Sequence, residues 1–263
     1  MLNYKNNIPF IEEVAINELI KIQETPFYVY SQACVEHNYY SLKNTVGNNI
    51  FYSVKANSNQ AILKLMSNLG AGADVVSIGE LKRALNAGFA PKKIIFEGLV
   101  KKRSDIEFAI KKNIRQINIE SIEELNIVNK ISKELNIITN IGIRLNPNID
   151  GKTKENITTG KSQNKFGIPI KEITLIINIL KKLNHLNLVG ISCHIGSQIY
   201  EIEVFKKVFE IMKNTASNFI NSGFSISNVD LGGGIAVKYH KNDQEIDLAE
   251  LKKEINITFA KVP

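Results

Sequence analysis

The chain has 263 residues, of which 44% are hydrophobic and 22% charged, an ordinary globular composition with enough length for a large core. It contains no apolar run near the roughly 20 residues needed to span a bilayer and no leader-like N-terminus, so we expect a cytoplasmic protein without membrane contact. The net charge of +7 comes from scattered lysines without aromatic interleaving, which argues against a nucleic acid partner. The two isolated cysteines, Cys34 and Cys193, predict reduced thiols and no metal site.

From residue 50 onward the chain alternates short β-favouring runs with longer segments of helical period, as parallel α/β folds do. The seven predicted strands are residues 51–55, 73–77, 93–97, 116–119, 138–145, 188–194 and 228–231. Seven such βα units fit either a doubly wound sheet or an eight-unit barrel that stops one unit short.

The predicted helices carry their own start and stop signals. Three capping boxes place a hydroxyl at the N-cap and a carboxylate three residues later, namely Ser77 with Glu80, Ser104 with Glu107, and Ser121 with Glu124. Gly70 and Gly88 follow helical segments and suit left-handed C-caps. The alternation therefore does not rest on hydrophobicity alone.

The only glycine cluster, residues 232–234, helps to choose between the two folds. It follows the seventh strand and does not match GxGxxG, which disfavours a dinucleotide-binding sheet. We predict an α/β protein with a (β/α)8 TIM-type barrel, seven of whose eight units are present. In such barrels the chemistry sits at the C-terminal ends of strands, and Lys55, Asp74, Arg144, His194 and the glycine cluster all fall there.

Lys55 ends the apolar run FYSVK at residues 51–55. Burial at a strand end would disfavour its ammonium form and suit an amine that forms an imine with an aldehyde cofactor such as pyridoxal phosphate. The alternative is a lysine that extends from a strand end into solvent.

Two further motifs point to a phosphorylated, planar ligand. The glycines of residues 229–235, VDLGGGI, free the backbone to form a nest of amides for a phosphate, although a sharp loop without a ligand is the alternative. His194 ends the sixth strand and is followed by Ser197. Its ring is predicted to stack on a planar cofactor, with a structural core histidine as the alternative.

Six ordered motifs together resemble the diaminopimelate decarboxylase family, which belongs to the group III pyridoxal-phosphate-dependent decarboxylases. They are TPFYVYS at 25–31, YSVKAN at 52–57, GADVVS at 72–77, TG at 159–160 with KFGI at 165–168, HIGSQ at 194–198, and LGGG at 231–234. The resemblance covers nearly the whole chain, and the HIGSQ form is more similar to diaminopimelate than to ornithine decarboxylases.

The resemblance implies a role for each candidate residue. Lys55 would hold pyridoxal 5'-phosphate as a Schiff base, and His194 would stack on its ring; these two are the candidate catalytic residues. Ser197, Gly232, Gly233 and Gly234 would hold the phosphate, while Asp74, Glu80 and Arg144 would line the cofactor. For Glu80 the capping box is an equally complete explanation.

Other parts of the chain depart from the family pattern. Lys154 stands where relatives commonly have histidine, which leaves substrate contacts of the long loop at 146–169 open. The family's Glu-Pro-Gly-Arg motif on strand eight, whose acid binds the pyridine nitrogen, and its C-terminal β-domain are absent before Pro263. We therefore expect a C-terminally truncated family member, with residues 1–35 as the segment that joins the β-domain and residues 36–263 as an incomplete barrel.

The implied function is decarboxylation of meso-2,6-diaminopimelate to L-lysine in lysine biosynthesis, with an amino acid as the small-molecule substrate. The family is homodimeric, and we expect the missing parts to impair both the dimer and turnover. A non-catalytic pyridoxal phosphate carrier, another group III decarboxylase and an amino-acid racemase remain as alternatives.

Overall fold

The structure, a computed structural model, describes residues 2–47, 49–149, 166–240 and 242–260. The predictions about Lys154, about the motif residues 159–160 and about Lys165 lie outside these ranges. Within them, no helix is long and apolar enough to cross a membrane.

A small N-terminal unit precedes the main sheet. Strands β1 (Leu2–Lys5), β2 (Ile8–Ile11) and β3 (Val14–Ala15) form an antiparallel sheet and are followed by α1 (Ile16–Ile22) and α2 (Gln32–Val46). Ser31 caps α2, because its Oγ accepts a hydrogen bond from Cys34 N and donates one to Glu12 Oε1 at 2.7 Å. The predicted division near residue 35 falls inside α2 and stays a prediction.

The main sheet contains all seven predicted strands, with ends that differ by no more than two residues from the prediction. In chain order the elements are β4 (Phe51–Ser53), α3 (Gln60–Leu69), β5 (Gly72–Val75), α4 (Ile78–Asn86), β6 (Ile94–Phe96), α5 (Arg103–Lys111), β7 (Gln116–Ile119), α6 (Ile122–Glu134), β8 (Thr139–Asn146), β9 (Ile168–Pro169), α7 (Ile173–Leu180), β10 (Leu186–Cys193), α8 (Ile202–Asn221), β11 (Asn228–Asp230) and α9 (Leu248–Phe259).

The strands pair in parallel in the order β11-β10-β8-β7-β6-β5-β4, and the two-residue β9 pairs with β8. Each βα unit therefore lies beside the next, as in a barrel wall, and the predicted α/β barrel with seven units is confirmed. In the part of the chain that the structure describes, β4 and β11 each pair with one strand only.

Two of the three predicted helix starts are present. Ser77 caps α4 and Ser121 caps α6, each accepting a hydrogen bond from the backbone N–H three residues later. The carboxylate of Glu80 accepts the N–H of Val76 at 2.8 Å, one residue before the cap. Helix α6 has the same arrangement, since Glu124 accepts the N–H of Glu120, the residue after β7. Each helix is therefore hydrogen-bonded to the end of the strand that precedes it.

The predicted capping box of Ser104 with Glu107 is wrong. Helix α5 begins at Arg103, and Asp105 Oδ2 accepts the N–H of Lys102 at 3.2 Å. Glu107 instead pairs with Arg103 one turn earlier, at 2.8 Å. Because Asp105 rather than Ser104 accepts a free backbone N–H at this end, helix α5 starts earlier than the position of Ser104 predicts.

Two amide side chains of β7 form a buried polar layer inside the sheet. Gln116 Nε2 donates to Asn118 Oδ1 at 2.7 Å, and both side chains are fully buried. Asn118 pairs across the sheet with Gly142, where a Cβ atom would overlap these amides. Glycine is therefore required at this position to leave room for the polar layer.

Candidate active site

Lys55 lies just beyond β4, in a single 3-10 turn formed by Val54–Ala56. The prediction that it is buried at a strand end is wrong, because the strand stops at Ser53 and the Lys55 side chain is exposed at the mouth of the sheet. Its positive charge nevertheless acts on two other groups of the site: it partly offsets the rise that burial causes in the pKa of Asp74, and it adds to the fall that burial causes in the pKa of His194. The structure thus brings these three predicted residues together.

Asp74 lies on β5, opposite Ser53 of β4, whose Oγ donates to Asp74 Oδ2 at 2.8 Å. Its other oxygen, Oδ1, is buried and has no hydrogen-bond partner within the described ranges of the chain. Burial, together with the negative charge of Glu97, raises the pKa of Asp74 to about 7, against the opposing effects of Ser53 and Lys55. This carboxyl group can therefore gain or lose a proton near neutral pH.

His194 follows the last residue of β10 and is partly buried at the same mouth. Burial lowers its pKa to about 4, and the positive charges of Lys55 and Arg144 act in the same direction. The imidazole is consequently neutral at pH 7, which suits a ring that packs against a planar ligand.

Arg144 lies on β8 and is largely buried. Its Nη1 atom is 3.2 Å from Glu97 Oε2 and 3.2 Å from Glu120 Oε1, and its guanidinium lies over the ring of Phe166, 5.0 Å from the centroid. Burial works against the guanidinium charge, but the carboxylates of Glu97 and Glu120 outweigh this effect and raise the pKa of Arg144. Arg144 is thus paired with protein carboxylates inside the site.

Three carboxylates of the site were missed from the sequence, namely Glu97, Glu120 and Asp230. Glu97 and Glu120 directly follow β6 and β7, and Asp230 is the last residue of β11. Burial, reinforced by Glu97, raises the pKa of Asp230 to about 6. The same rule of strand ends that selected Lys55 would have found all three.

The glycine cluster follows Asp230 directly and lies against the loop after β10. Gly232 N donates to Asp230 Oδ1 at 2.8 Å, and a Cβ at Gly232 would lie 2.5 Å from Cys193 O. A Cβ at Gly234 would overlap Gly196 O, whereas one at Gly233 would meet no atom of the described residues within 4 Å. Two glycines thus allow backbone contact, and the middle one faces open space.

The remaining predicted residues have different surroundings. Ser197 is exposed in the loop that packs against the glycine cluster, so it can face a ligand bound there. Glu80 holds the start of α4 through Val76, which favours the capping interpretation of its role.

A second lysine at the mouth, Lys101, has a different environment. Its side chain is 1% exposed, and Nζ donates to Gly98 O at 2.6 Å, Asn118 O at 2.8 Å and Glu124 Oε1 at 2.7 Å. All three of its donor hydrogens are therefore used within the protein, whereas Lys55 is accessible.

Comparison with known proteins assigns the family. The family model described as pyridoxal-dependent decarboxylase, pyridoxal binding domain, matches residues 32–262. The chain belongs to this family. As a pyridoxal-dependent decarboxylase domain, it has pyridoxal phosphate as its cofactor.

Curated relatives of this pyridoxal-dependent decarboxylase domain are diaminopimelate decarboxylases. That of Aquifex aeolicus is 38% identical over 97% of this chain and 61% of its own length, and that of Helicobacter pylori strain J99 is 40% identical over 90% and 59%. The domain spans about 60% of the length of the curated relatives it matches.

Solved structures give the same relationship. Diaminopimelate decarboxylase from Helicobacter pylori complexed with L-lysine superimposes with a TM-score of 0.90 at 38% identity, over 94% of this domain and 63% of that chain. The enzyme from M. jannaschii, also in complex with L-lysine, gives 0.91 at 34% identity, over 99% and 62%. The barrel of the domain is thus that of these enzymes.

The site of this pyridoxal-dependent decarboxylase domain fits the cofactor in two respects. Among the residues that the structure describes, Asp74 Oδ1 is a buried acceptor without a hydrogen-bond partner, and the Lys55 side chain is exposed at the same mouth. Gly233 lies open between two glycines that are packed against neighbouring backbone, which leaves room for a phosphate.

Proposed function

We propose that this chain is the pyridoxal phosphate-binding part of a diaminopimelate decarboxylase, which converts meso-2,6-diaminopimelate to L-lysine and carbon dioxide. The observation that carries the proposal is the position of Lys55, Asp74 and His194, which lie at or just beyond the carboxyl ends of β4, β5 and β10 and so share one mouth of the sheet. The relatives named diaminopimelate decarboxylase support this substrate.

In this proposal Lys55 supplies the amine that attaches the cofactor. Lys101 is excluded from that role because its ammonium is buried and fully hydrogen-bonded. Asp74, whose pKa is raised by burial to about 7, gains or loses a proton near neutral pH, and its charge interacts with that of Lys55. We assign it the role of orienting the Lys55 amine through this charge.

The neutral ring of His194 provides a flat surface for the cofactor ring, and the ion pair of Arg144 with Glu97 lies on the neighbouring part of the sheet, since Arg144 of β8 is in register with Ser192 of β10. Ser197 and the amides of Gly233 and Gly234 are the proposed phosphate donors. Gly232 has a different role, because its N–H already donates a hydrogen bond to Asp230. It shapes the turn after β11.

Pyridoxal phosphate, when bound, supplies a conjugated acceptor for the electrons left at the α-carbon when carbon dioxide departs. The contribution of this chain is to bind and orient that group. The chemistry is common to the family, so the relatives rather than the geometry support the choice of diaminopimelate as substrate.

We further propose a cytoplasmic location, and a homodimer for the protein that includes the parts missing from this chain, in which the N-terminal segment of residues 1–35 joins another domain. The segment exposes large apolar side chains, with Ile22 at 81%, Tyr28 at 92% and Tyr30 at 59% exposure. Surfaces of this kind are commonly covered by a partner or a further domain.

Covalent attachment at Lys55 tests the proposal. The purified chain should gain visible absorbance with pyridoxal phosphate, and borohydride reduction followed by peptide mass spectrometry should locate the label on Lys55. Lys55→Ala should abolish both signals, while Lys133→Ala, a change at an exposed lysine of α6, should leave them unchanged. Labelling mainly at another lysine would overturn the assignment.

A further inference from the structure

Two loops that follow the neighbouring strands β10 and β11 are hydrogen-bonded to each other, and we call this contact the junction. The first, residues 194–199 after β10, contains HIGSQ, and the second, residues 232–237 after β11, contains the glycine cluster. Ile199 N donates to Gly234 O at 2.8 Å, and Ala236 N donates to Ile199 O at 3.2 Å. Ile199 is fully buried beneath this junction.

Gln198 closes the outer end of the junction. Its Oε1 accepts the N–H of Val237 at 3.0 Å, and its Nε2 donates to Val237 O at 3.0 Å. The side-chain amide therefore pairs with both polar groups of one residue, as a neighbouring strand would. A third contact, from Nε2 to the Tyr200 hydroxyl at 3.1 Å, fixes the amide orientation.

The pairing requires both halves of the glutamine amide. A carboxylate would place an acceptor against Val237 O, and an apolar side chain of equal length would leave both Val237 groups without this partner. Gln198 also has a backbone φ of +58°, a left-handed conformation that turns the chain directly after Ser197. The side-chain pair holds this turn in place.

Ser197 and Gly233 are the groups that the junction leaves facing outward. Ser197 lies between Gly196, which Gly234 approaches closely, and Gln198, which holds Val237. Gly233 lies between Gly232 and Gly234, both in contact with the first loop. The separation of the Ser197 hydroxyl from the Gly233 amide is thus set by contacts on both sides.

We propose that Gln198 is a positioning residue for the cofactor phosphate, acting through Val237 to hold Ser197 and the glycine cluster at a fixed separation. This inference rests on the proposed function, since it takes the phosphate to bind between these two loops. Gln198 itself does not touch the phosphate in this proposal. It keeps the loop that carries Ser197 and the loop that carries the glycine cluster at a fixed distance from each other.

The test compares pyridoxal phosphate with pyridoxal, which lacks the phosphate. Dissociation constants of both are measured by absorbance titration for the purified chain and for Gln198→Met. Loss of the two hydrogen bonds should weaken pyridoxal phosphate binding about tenfold. Pyridoxal binding, which uses Lys55 but no phosphate contact, should change less than about twofold, and the melting temperature should stay near that of the unchanged chain.

Two further variants sharpen the result. Gln198→Asn keeps an amide that is too short to reach Val237, and asparagine accepts positive φ well, so it should fold and show the same selective loss. Gln32→Met is the matched control, because it removes an amide hydrogen bond to Glu36 on the exposed face of α2. This control should bind both compounds normally.

The outcomes separate the inference from the function on which it rests. If the unchanged chain binds pyridoxal as tightly as pyridoxal phosphate, no phosphate site exists and the proposed function fails. If the unchanged chain prefers pyridoxal phosphate and both Gln198 variants keep that preference, the positioning role alone is wrong. Equal weakening for both compounds would also overturn it, since that result indicates a general structural role.

Discussion

Nη1 of Arg144 lies 3.2 Å from Oε1 of Glu120, and the other carboxylate oxygen of Glu120 accepts the N–H of Gly167 at 3.2 Å. The buried carboxylate of Glu120 thus connects Arg144 of β8 to Gly167, the residue directly before β9. Glu97, the residue directly after β6, approaches the same guanidinium, also at 3.2 Å. Arg144 is therefore the centre of a charge cluster that spans three strands.

Arg144→Met should be strongly destabilising, because it leaves two buried carboxylates facing each other without their cation. We expect a loss of about 3–5 kcal/mol in the free energy of unfolding, measured in urea at pH 7.5. Arg103→Met is the matched control. Arg103 pairs with Glu134 and Glu107 but its side chain is 52% exposed, so the loss should stay below about 1 kcal/mol. Equal effects of the two changes would contradict a structural role for the cluster.

Asp74→Asn should stabilise the cofactor-free chain at high pH. The folded-state pKa of about 7 lies above the ordinary value of 3.8, so the native state binds more protons than the unfolded state and stability falls as pH rises between these values. Asparagine removes this dependence. The variant should therefore be more stable at pH 8 by up to about 4 kcal/mol, with little gain at pH 4.

Urea unfolding at several pH values measures this difference. Glu123→Gln, a change at an exposed carboxylate of α6, should leave the pH profile unaltered. Because Asp74 is proposed to orient Lys55, the same Asp74→Asn protein should be labelled by pyridoxal phosphate more slowly. An unchanged pH profile in Asp74→Asn would show that the carboxyl group does not carry a buried charge.

The middle and last glycines of the cluster should respond differently to alanine. Gly233→Ala meets open space and should fold normally, while its methyl group occupies the proposed phosphate position and weakens pyridoxal phosphate binding. Gly234 has φ of +83° and close contact with Gly196 O, so Gly234→Ala should lose about 1–3 kcal/mol of folding free energy. Melting curves and absorbance titrations check both, and normal cofactor affinity in Gly233→Ala would remove the phosphate from this loop.

The 263-residue chain by itself should release little or no carbon dioxide from meso-diaminopimelate. In the described part of the sheet, β4 and β11 each lack a second neighbour, so the wall that carries Lys55 and the wall that carries the glycine cluster are not held together across the gap. Misplacement of two such groups costs orders of magnitude in rate. A radiometric assay beside the Aquifex aeolicus enzyme at equal concentration measures this, and comparable turnover would contradict the prediction.

The order of strands could be predicted because it depends on local pattern. Alternating apolar runs and hydroxyl caps such as Ser77 and Ser121 act within a few residues, and both helices begin where these residues indicate. The helix start predicted at Ser104 is wrong because Asp105 competes for the same free N–H groups. A sequence pattern does not show which of two competing acceptors forms the hydrogen bond.

The composition of the site could be predicted only in part. Lys55, Asp74 and His194 were found because each carries a side chain unusual for a strand end. The exposure of Lys55 depends on the chain leaving the strand at Ser53, a turn that the apolar run conceals. The partners of Arg144 come from strands 24 and 47 residues away, and such pairings follow from sheet register rather than from sequence spacing.

The attachment of α4 and α6 to their preceding strands has a dynamic consequence. The N–H of Val76 donates to Glu80 and that of Glu120 donates to Glu124 at 2.7 Å, so in each case the first turn of the helix holds the residue that leaves the strand. Neither helix start can fray without releasing the strand end as well. Amide hydrogen exchange at Val76 and Glu120 should then report opening of strand and helix as one cooperative unit, which keeps this rim of the cofactor mouth rigid.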